Sequence, residues 1–297
     1  MKGKILLTGA TGFVGSHILK RLIELGEDVV IIIRETSSLE RIQNLNGFSV
    51  FKVNNQLSNL DELYKRYQIN TIIHVSTEYG RSLNYSSVLL SNVIFPIKLI
   101  EKADMKNLKL FINTDSFSSK FQNSSYLKEY VSSKKIFKEY LKSLFAFQVI
   151  NLQLEHVIGE YDSNGKFITF LFDEMLSDRK QIKLTEGNQK RDFIYISDVV
   201  DAYIVTLKYK NYKKNFIQFE VGTGQSISIK EFVYTMHKIL QSKSELLFGS
   251  IETRTDEIMD SRANNKDLIK LGWFPKFTIQ IAIQNILKTK TYKNEIL

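Results

Sequence analysis

Tyr130 and Lys134 stand four residues apart, a spacing that sets a phenol and an ammonium on one face of a helix. A free tyrosine titrates near ~10 and is a poor acid–base at neutral pH. A lysine cation beside it favours the phenolate, which predicts a lowered pKa and proton transfer to or from a carbonyl oxygen. Tyr209/Lys213 and Tyr234/Lys238 share the spacing, so spacing alone selects nothing. Position does. Only Tyr130 and Lys134 fall on the helix after a strand that ends in Thr114-Asp115-Ser116. Open parallel sheets take ligands at the carboxyl ends of their strands, where Thr114 would hydrogen-bond a substrate oxygen. Thr114, Tyr130 and Lys134 are thus the candidate catalytic residues. The plainer alternative makes Thr114 a strand-end cap and Tyr130 a helix-surface residue.

A second chemical pattern lies nearer the N-terminus, in Thr8-Gly9-Ala10-Thr11-Gly12-Phe13-Val14-Gly15. Glycines here permit a tight turn, close approach of backbone to a pyrophosphate, and close helix–strand packing. The phosphate would sit on free N–H groups at the helix N-terminus. Arg34 follows the second strand where an acidic residue would bind the ribose 2′-OH of NAD. A cation suits a 2′-phosphate, so NADPH is the expected cofactor; otherwise Arg34 is a solvated strand-end charge.

The elements that must position these residues alternate as in βαβ units. Strands are predicted at Lys4–Thr8, Val29–Ile33, Ser49–Val53, Thr71–Ser76, Lys109–Thr114 and Phe147–Leu154. Helices are predicted at Gly12–Leu25, Leu60–Tyr67, about Ser86–Lys102 and about Tyr126–Phe145. Val29–Ile33 is a continuous apolar run, the mark of a strand covered on both faces. Past Glu155 the alternation weakens, with Phe193–Ile196 and Ile217–Val221 read as strands returning to the sheet. The expected fold is α/β, a doubly wound parallel sheet of Rossmann type. Its dinucleotide-binding domain would take residues 1–154 with 188–224 returning, and a smaller discontinuous substrate lobe would take most of 155–297.

Composition bounds the function classes. The chain has 297 residues, a net charge of +9 and no cysteine, so no disulfide framework exists. No apolar run reaches the roughly 18 residues that span a bilayer, and no secretory leader is read, so membrane insertion is not expected and a cytoplasmic enzyme is. The basic excess lies in solvated lysines without a nucleic-acid motif, which argues against nucleic acid as a partner. No metal is expected.

The GxxGxxG turn and the Thr114…Tyr130-x-x-x-Lys134 arrangement resemble the extended short-chain dehydrogenase/reductases, in their NAD-dependent epimerase/dehydratase (sugar-nucleotide) branch. His74-Val75-Ser76, Asn92, Arg191-Asp192-Phe193-Ile194-Tyr195-Ile196-Ser197-Asp198-Val199, Phe219 to Gly224 and Leu271-Gly272-Trp273-Phe274-Pro275 carry the likeness over nearly the whole chain. It implies cofactor contacts from Gly9, Thr11, Gly12, Phe13, Val14, Arg34, Ser76, Tyr130 and Lys134. It implies a homodimer built on a shared four-helix bundle. Dehydratases of the branch carry glutamate where Ser116 stands, and a serine hydroxyl cannot remove a C5 proton. Leu154-Glu155-His156, Lys183-Leu184-Thr185 and Glu78-Tyr79-Gly80-Arg81 most resemble the synthases of CDP-paratose and CDP-abequose. Those are 4-ketoreductases of CDP-4-keto-3,6-dideoxyglucose in O-antigen lipopolysaccharide biosynthesis. The resemblance implies substrate contacts from Arg81, Asp115, Ser116, His156, Lys166, Leu184 and Arg191, with Arg191 on the diphosphate. Otherwise Arg191 is an ion pair with Asp192 or a neighbour, His156 a core or surface histidine and Arg81 a loop charge. A 4-epimerase with tightly held NAD, and a non-catalytic NADP-sensing protein, are the alternative functions.

Overall fold

The computed structural model describes residues 3–80, 84–121, 127–209 and 214–295. In chain order the first elements are β1 (Lys4–Thr8), α1 (Phe13–Glu24), β2 (Val29–Ile33), β3 (Phe48–Lys52), α2 (Leu60–Arg66) and β4 (Ile69–His74). Then come α3 (Tyr85–Leu89), a π-helical turn (Leu90–Ile94), α4 (Phe95–Lys102), β5 (Leu110–Ser116), α5 (Lys128–Lys142) and β6 (Gln148–Leu154). They are followed by β7 (His156–Ile158), α6 (Phe167–Leu176), β8 (Gln181–Lys183), β9 (Lys190–Arg191), β10 (Phe193–Tyr195) and α7 (Ile196–Lys208). The chain goes on through β11 (Phe216–Val221), β12 (Ile227–Ser228), α8 (Ile229–Leu240), β13 (Glu245–Leu247), β14 (Asp260–Ser261), α9 (Lys266–Lys270) and α10 (Ile279–Glu295). Among the described residues no helix is long and apolar enough to cross a membrane.

The chain forms two compact units: residues 1–153 with 200–219, and residues 154–199 with 220–297. The segment that returns to the first unit is thus narrower than the 188–224 expected from sequence. The seven-stranded sheet runs β11-β6-β5-β4-β1-β2-β3. Strand β2 is buried throughout and β1 almost so, as parallel strands covered on both faces must be. Edge strand β3 alternates more and exposes Val50. On the α2, α4 and α5 side Leu6, Ile72, Phe111, Phe137 and Val149 form one apolar cluster. Phe111 has no exposed surface, so its truncation to alanine costs ~3–5 kcal/mol.

Register decides what shares an edge. Thr8 pairs with His74 and His74 with Asn113, so Gly9, Val75 and Thr114 lie side by side at the carboxyl edge of the sheet.

The helix expected over Ser86–Lys102 is interrupted by the π turn, and Pro96 supplies the reason. Proline lacks the N–H that would reach the Asn92 carbonyl, and its ring crowds that group. One widened turn relieves the crowding and places Asn92, itself buried, against the loop after β4 and against α5. At the start of α3 the Asn84 side chain accepts from the Ser87 backbone N–H at 3.0 Å and caps it.

In the second unit, β10 pairs in parallel with β7, and β9 lies between β12 and β14. Phe193–Ile196 therefore does not return to the large sheet as the sequence suggests. Three residues of strand followed at once by α7 are too few to reach it, and they pair locally. Phe216–Val221 does join the large sheet, at its edge beside β6. Two buried aspartates organise this unit. Asp192 accepts from the backbone N–H groups of Thr223, Gly224 and Ala263, and Asp198 from those of Lys276 and Phe277. The Trp273 indole donates to the Asp198 carbonyl at 2.9 Å, which fixes the Leu271–Pro275 segment.

Candidate active site

The glycine turn is required by contact distance. Gly9 has φ +70°, and a Cβ there would sit 2.6 Å from the Ser76 backbone nitrogen. A Cβ on Gly15 would lie 2.0 Å from the Gly9 carbonyl oxygen, so α1 packs on its own turn only without one. Gly12 is the N-cap of α1 and brings no side-chain hydrogen bond, so the glycine turn meets the positive end of the helix with backbone alone. Thr8 Oγ1 accepts from the Val75 and Ser76 N–H groups, each at 3.2 Å, and lies 2.9 Å from His74 Nδ1. Burial, then the Lys134 charge, hold His74 well below the usual histidine range, so it is neutral. Ser76 Oγ, beside Gly9, is buried without a hydrogen-bond partner among the described residues.

Arg34 follows β2 and donates to Ser91 Oγ at 2.7 Å. It borders a cavity of about 270 Å³ lined also by Val53, Asn54, Leu57, Glu78 and Ser87. Arg41, which no sequence motif marks, donates to the Thr11 carbonyl at 3.4 Å and brings a second cation to the glycine turn. An uncapped helix start, an orphaned hydroxyl and a cavity beside a guanidinium fit a dinucleotide.

Thr114 lies near the end of β5, on the side of α7. Its Oγ1 is 2.6 Å from the hydroxyl of Tyr203, and its carbonyl accepts from Lys134 Nζ at 2.8 Å. Tyr130 is buried, and its ring is tilted against Tyr79 with centroids 4.9 Å apart. Ser116 is the hydroxyl close enough to act on the Tyr130 phenol, while Thr114 is engaged by Tyr203. Burial, followed by the nearby Tyr79, pushes the Tyr130 phenol well above 10, and Ser116 opposes this. The lowering expected from the Lys134 charge is not what the fold produces. Burial overrides it: Lys134 is itself pushed down to about 8 by burial, with Asp115 opposing, and its Nζ stands 5.8 Å from the Tyr130 ring centre. A phenol held protonated is an acid, the form needed to give a proton to an oxyanion.

Asp115 is expected from sequence to face substrate, and the structure places it inside. Strand alternation turns it away from Thr114, toward α5, where its side chain is fully buried. It pairs with Lys138 at 3.2 Å and accepts from Ser119 Oγ at 2.9 Å and Asn151 Nδ2 at 3.1 Å. Behind it buried Asn113, Asn151 and Gln153 continue a polar network that joins β5 and β6 and reaches the exposed Gln218 on β11.

Asn92 ties the β4 loop to α5. Its Oδ1 accepts from the Glu78 N–H at 2.7 Å, and its Nδ2 donates to the Glu78 carbonyl and to Ser133 Oγ. Ser133 Oγ in turn donates to the Tyr130 carbonyl at 2.7 Å. The loop carrying Tyr79 and the helix carrying Tyr130 are therefore held by one side chain.

In the second unit the expected substrate residues divide. The Arg191 guanidinium is buried and ion-paired with Glu257, which also pairs with Arg254; the partner is not Asp192. Glu155 also lies close enough to act on Arg191, so two guanidiniums are set among two carboxylates. Neither Glu257 nor Arg254 stands out in the sequence, although a glutamate three residues after an arginine is visible there. His156 packs edge-on to Phe193, and burial, then Arg191, push it well below its usual range. Lys166 pairs with Asp162 at 2.7 Å and remains partly exposed. Leu184 is a correction: its side chain is in the core, 3% exposed, where an apolar group is sheltered from water and from a polar ligand. Arg81 lies outside the described residues.

Known proteins resemble the chain in both sequence and fold. Residues 5–222 match the model of the NAD dependent epimerase/dehydratase family. The chain is 37% identical to the CDP-abequose synthase of Salmonella muenchen, over 97% of this chain and 98% of that one. It is 34% identical to the CDP-abequose synthase of Salmonella typhimurium, with the same coverage. Among solved structures, a UDP-glucose-4-epimerase from Stenotrophomonas maltophila with bound NAD and formylated UDP-arabinopyranose superposes with TM-score 0.83. That pair is 17% identical, covering 99% of this chain and 100% of the other, a likeness of fold.

Proposed function

The chain belongs to the NAD dependent epimerase/dehydratase family, and on that premise we propose that it is an oxidoreductase that reduces the C4 keto group of a nucleotide-linked deoxysugar with NADPH. The reading rests on one observation above others: a buried, protonated Tyr130 has Ser116 beside it where a dehydratase needs a carboxylate base. A hydroxyl can donate to the phenol but cannot strip the C5 proton, so the site suits reduction.

Gly9, Gly12 and the N-terminus of α1 would hold the pyrophosphate, with Thr11, Phe13, Val14 and Ser76 along the same turn. Arg34 would bind the 2′-phosphate, which favours NADPH over NADH. The bound cofactor supplies the hydride. Tyr130 gives its proton to the oxygen as the carbonyl becomes an alkoxide, and the phenolate left behind is stabilised by Ser116 and the Lys134 charge. Thr114 donates a hydrogen bond to the same oxygen as charge develops there. In the second unit Arg191, with Arg254, would take the diphosphate, and His156 and Lys166 the sugar.

The finer substrate is CDP-4-keto-3,6-dideoxy-D-glucose and the product CDP-abequose, a precursor for O-antigen. The names of the two Salmonella relatives support this over paratose. A homodimer is also proposed. Leu90 and Ile94 on one helix and Ile136 on α5 are each at least 40% exposed, an apolar face suited to a second copy. The decisive experiment incubates the enzyme with CDP-4-keto-3,6-dideoxyglucose and either reduced nicotinamide, and reads the C4 configuration by NMR. NADPH-dependent formation of CDP-abequose is expected. Cofactor-independent interconversion of C4 epimers on tightly held NAD would instead establish an epimerase.

A further inference from the structure

Tyr203 has no place in the reaction as set out above, yet it touches the reacting group. It lies on α7 with no exposed surface, and its hydroxyl is 2.6 Å from Thr114 Oγ1. Phenylalanine would fill the same apolar space, so burial alone does not call for a phenol. A buried phenol must find a partner, and this one finds Thr114.

We infer that Tyr203 is a positioning residue: its phenol donates to Thr114 Oγ1, so that the threonine hydroxyl turns its own proton toward the substrate's carbonyl oxygen. Acidity and burial set the direction of that bond, and a second contact fixes the threonine that receives it. The phenol is the stronger acid of the two hydroxyls and is the donor when they meet. Burial pushes the Tyr203 phenol well up, so it keeps its proton. The carbonyl of Thr114 is already claimed by Lys134 Nζ at 2.8 Å, so the residue is pinned at backbone and side chain by two separate helices. A threonine held this way has one free direction for its proton. Tyr203 also lies close enough to Tyr130 to act on its ionisation, which places all three hydroxyls in one neighbourhood.

The inference rests on Thr114 being the group that polarises the carbonyl, and the test separates the two ideas. Thr114→Val, Tyr203→Phe and the double variant are assayed for kcat, KM and thermal unfolding with NADPH and the 4-keto sugar nucleotide. Thr114→Val should lose about a hundredfold in kcat. Tyr203→Phe should lose about tenfold in kcat with KM within twofold, the effect of one misdirected hydrogen bond. The double variant should match Thr114→Val alone, because Tyr203 acts only through Thr114. A merely structural Tyr203 would lower the melting temperature and leave kcat unchanged, which overturns the inference and spares the site. Normal turnover in Thr114→Val removes both. Should Tyr203→Phe not fold, Tyr203→His keeps a ring-borne donor: kcat within threefold of the parent supports the inference, and a loss as deep as that of Thr114→Val refutes it.

Discussion

Lys134 Nζ donates to the carbonyl oxygen of Thr114 at 2.8 Å, joining the middle of α5 to the end of β5 across twenty residues. The lysine is 3% exposed, and burial pushes it down to about 8. That cost is borne by the fold for the sake of a charge beside Tyr130.

Activity and stability should therefore respond to alkaline pH with opposite signs. The charged lysine is present below pH 8 and lost above it, so turnover should fall as pH rises through about 8. Between pH 8 and 10.5 the unfolded chain binds a proton at this position that the folded one does not, so the contribution of Lys134 to stability improves as pH rises. The depression is worth roughly 3 kcal/mol against the charged form at neutral pH. Lys134→Met should accordingly gain ~1–2 kcal/mol in urea unfolding, the rest being lost to an unsatisfied Thr114 carbonyl, while kcat falls at least ~100-fold. A variant both unstable and active would contradict the assignment.

On the proposed reading Arg34 is the residue that selects NADPH over NADH. Its guanidinium, 2.7 Å from Ser91 Oγ, borders the cavity beside β2 and β3. Arg34→Glu puts a carboxylate where a 2′-phosphate would bind and where a ribose hydroxyl could donate. The ratio of kcat/KM for NADPH to that for NADH should drop ~100-fold or more, mostly through KM. Steady-state rates with both cofactors measure it, and an unchanged ratio would show that the 2′-phosphate sits elsewhere.

Much of this is legible in the residues alone. Gly9 and Gly15 obey contact distances that sequence motifs encode directly, and β2 announces its two-sided burial by composition. Thr114, Tyr130 and Lys134 can be grouped because parallel register brings strand ends to one edge. What escapes depends on long-range contact. Tyr203 meets Thr114 across 89 residues, and no local pattern marks it. The inward turn of Asp115 follows from alternation on β5 and can be drawn once Thr114 fixes the substrate-facing side. The rise in the Tyr130 pKa is hidden because the sequence shows the charge at Lys134 but not how deeply both groups are buried. Phe193–Ile196 is misplaced because its short strand pairs locally with β7 in a small sheet.

The two close glycine contacts differ from an open one in a measurable way. At Gly15 a methyl group would meet backbone, the Gly9 carbonyl, at 2.0 Å, and neither partner can swing aside. Gly15→Ala should cost at least ~3 kcal/mol and abolish dinucleotide binding. Gly26 has φ +68° but nothing within 4 Å of an added Cβ, so Gly26→Ala should cost only ~1 kcal/mol of backbone strain. Denaturant unfolding with cofactor titration tests the pair. Equal costs at both positions would mean that strain, and not contact, governs the turn.

Asp115 offers a way to move the alkaline limb without touching substrate. Its charge favours protonated Lys134, opposing the effect of burial. Asp115→Asn removes that charge, so the Lys134 pKa should fall further and turnover should begin to decline at lower pH than in the parent. The sign is fixed: losing a nearby anion always disfavours a cation. The same change leaves Lys138 without its partner and sets an amide N–H₂ against donors from Ser119 and Asn151. Because Lys138 is 12% exposed it regains some water, and the loss should be ~2–3 kcal/mol, below that of a fully buried pair. Profiles of kcat/KM against pH, taken well below the variant's melting temperature, separate the two effects. A limb that stays in place, or moves to higher pH, would mean that another group controls it.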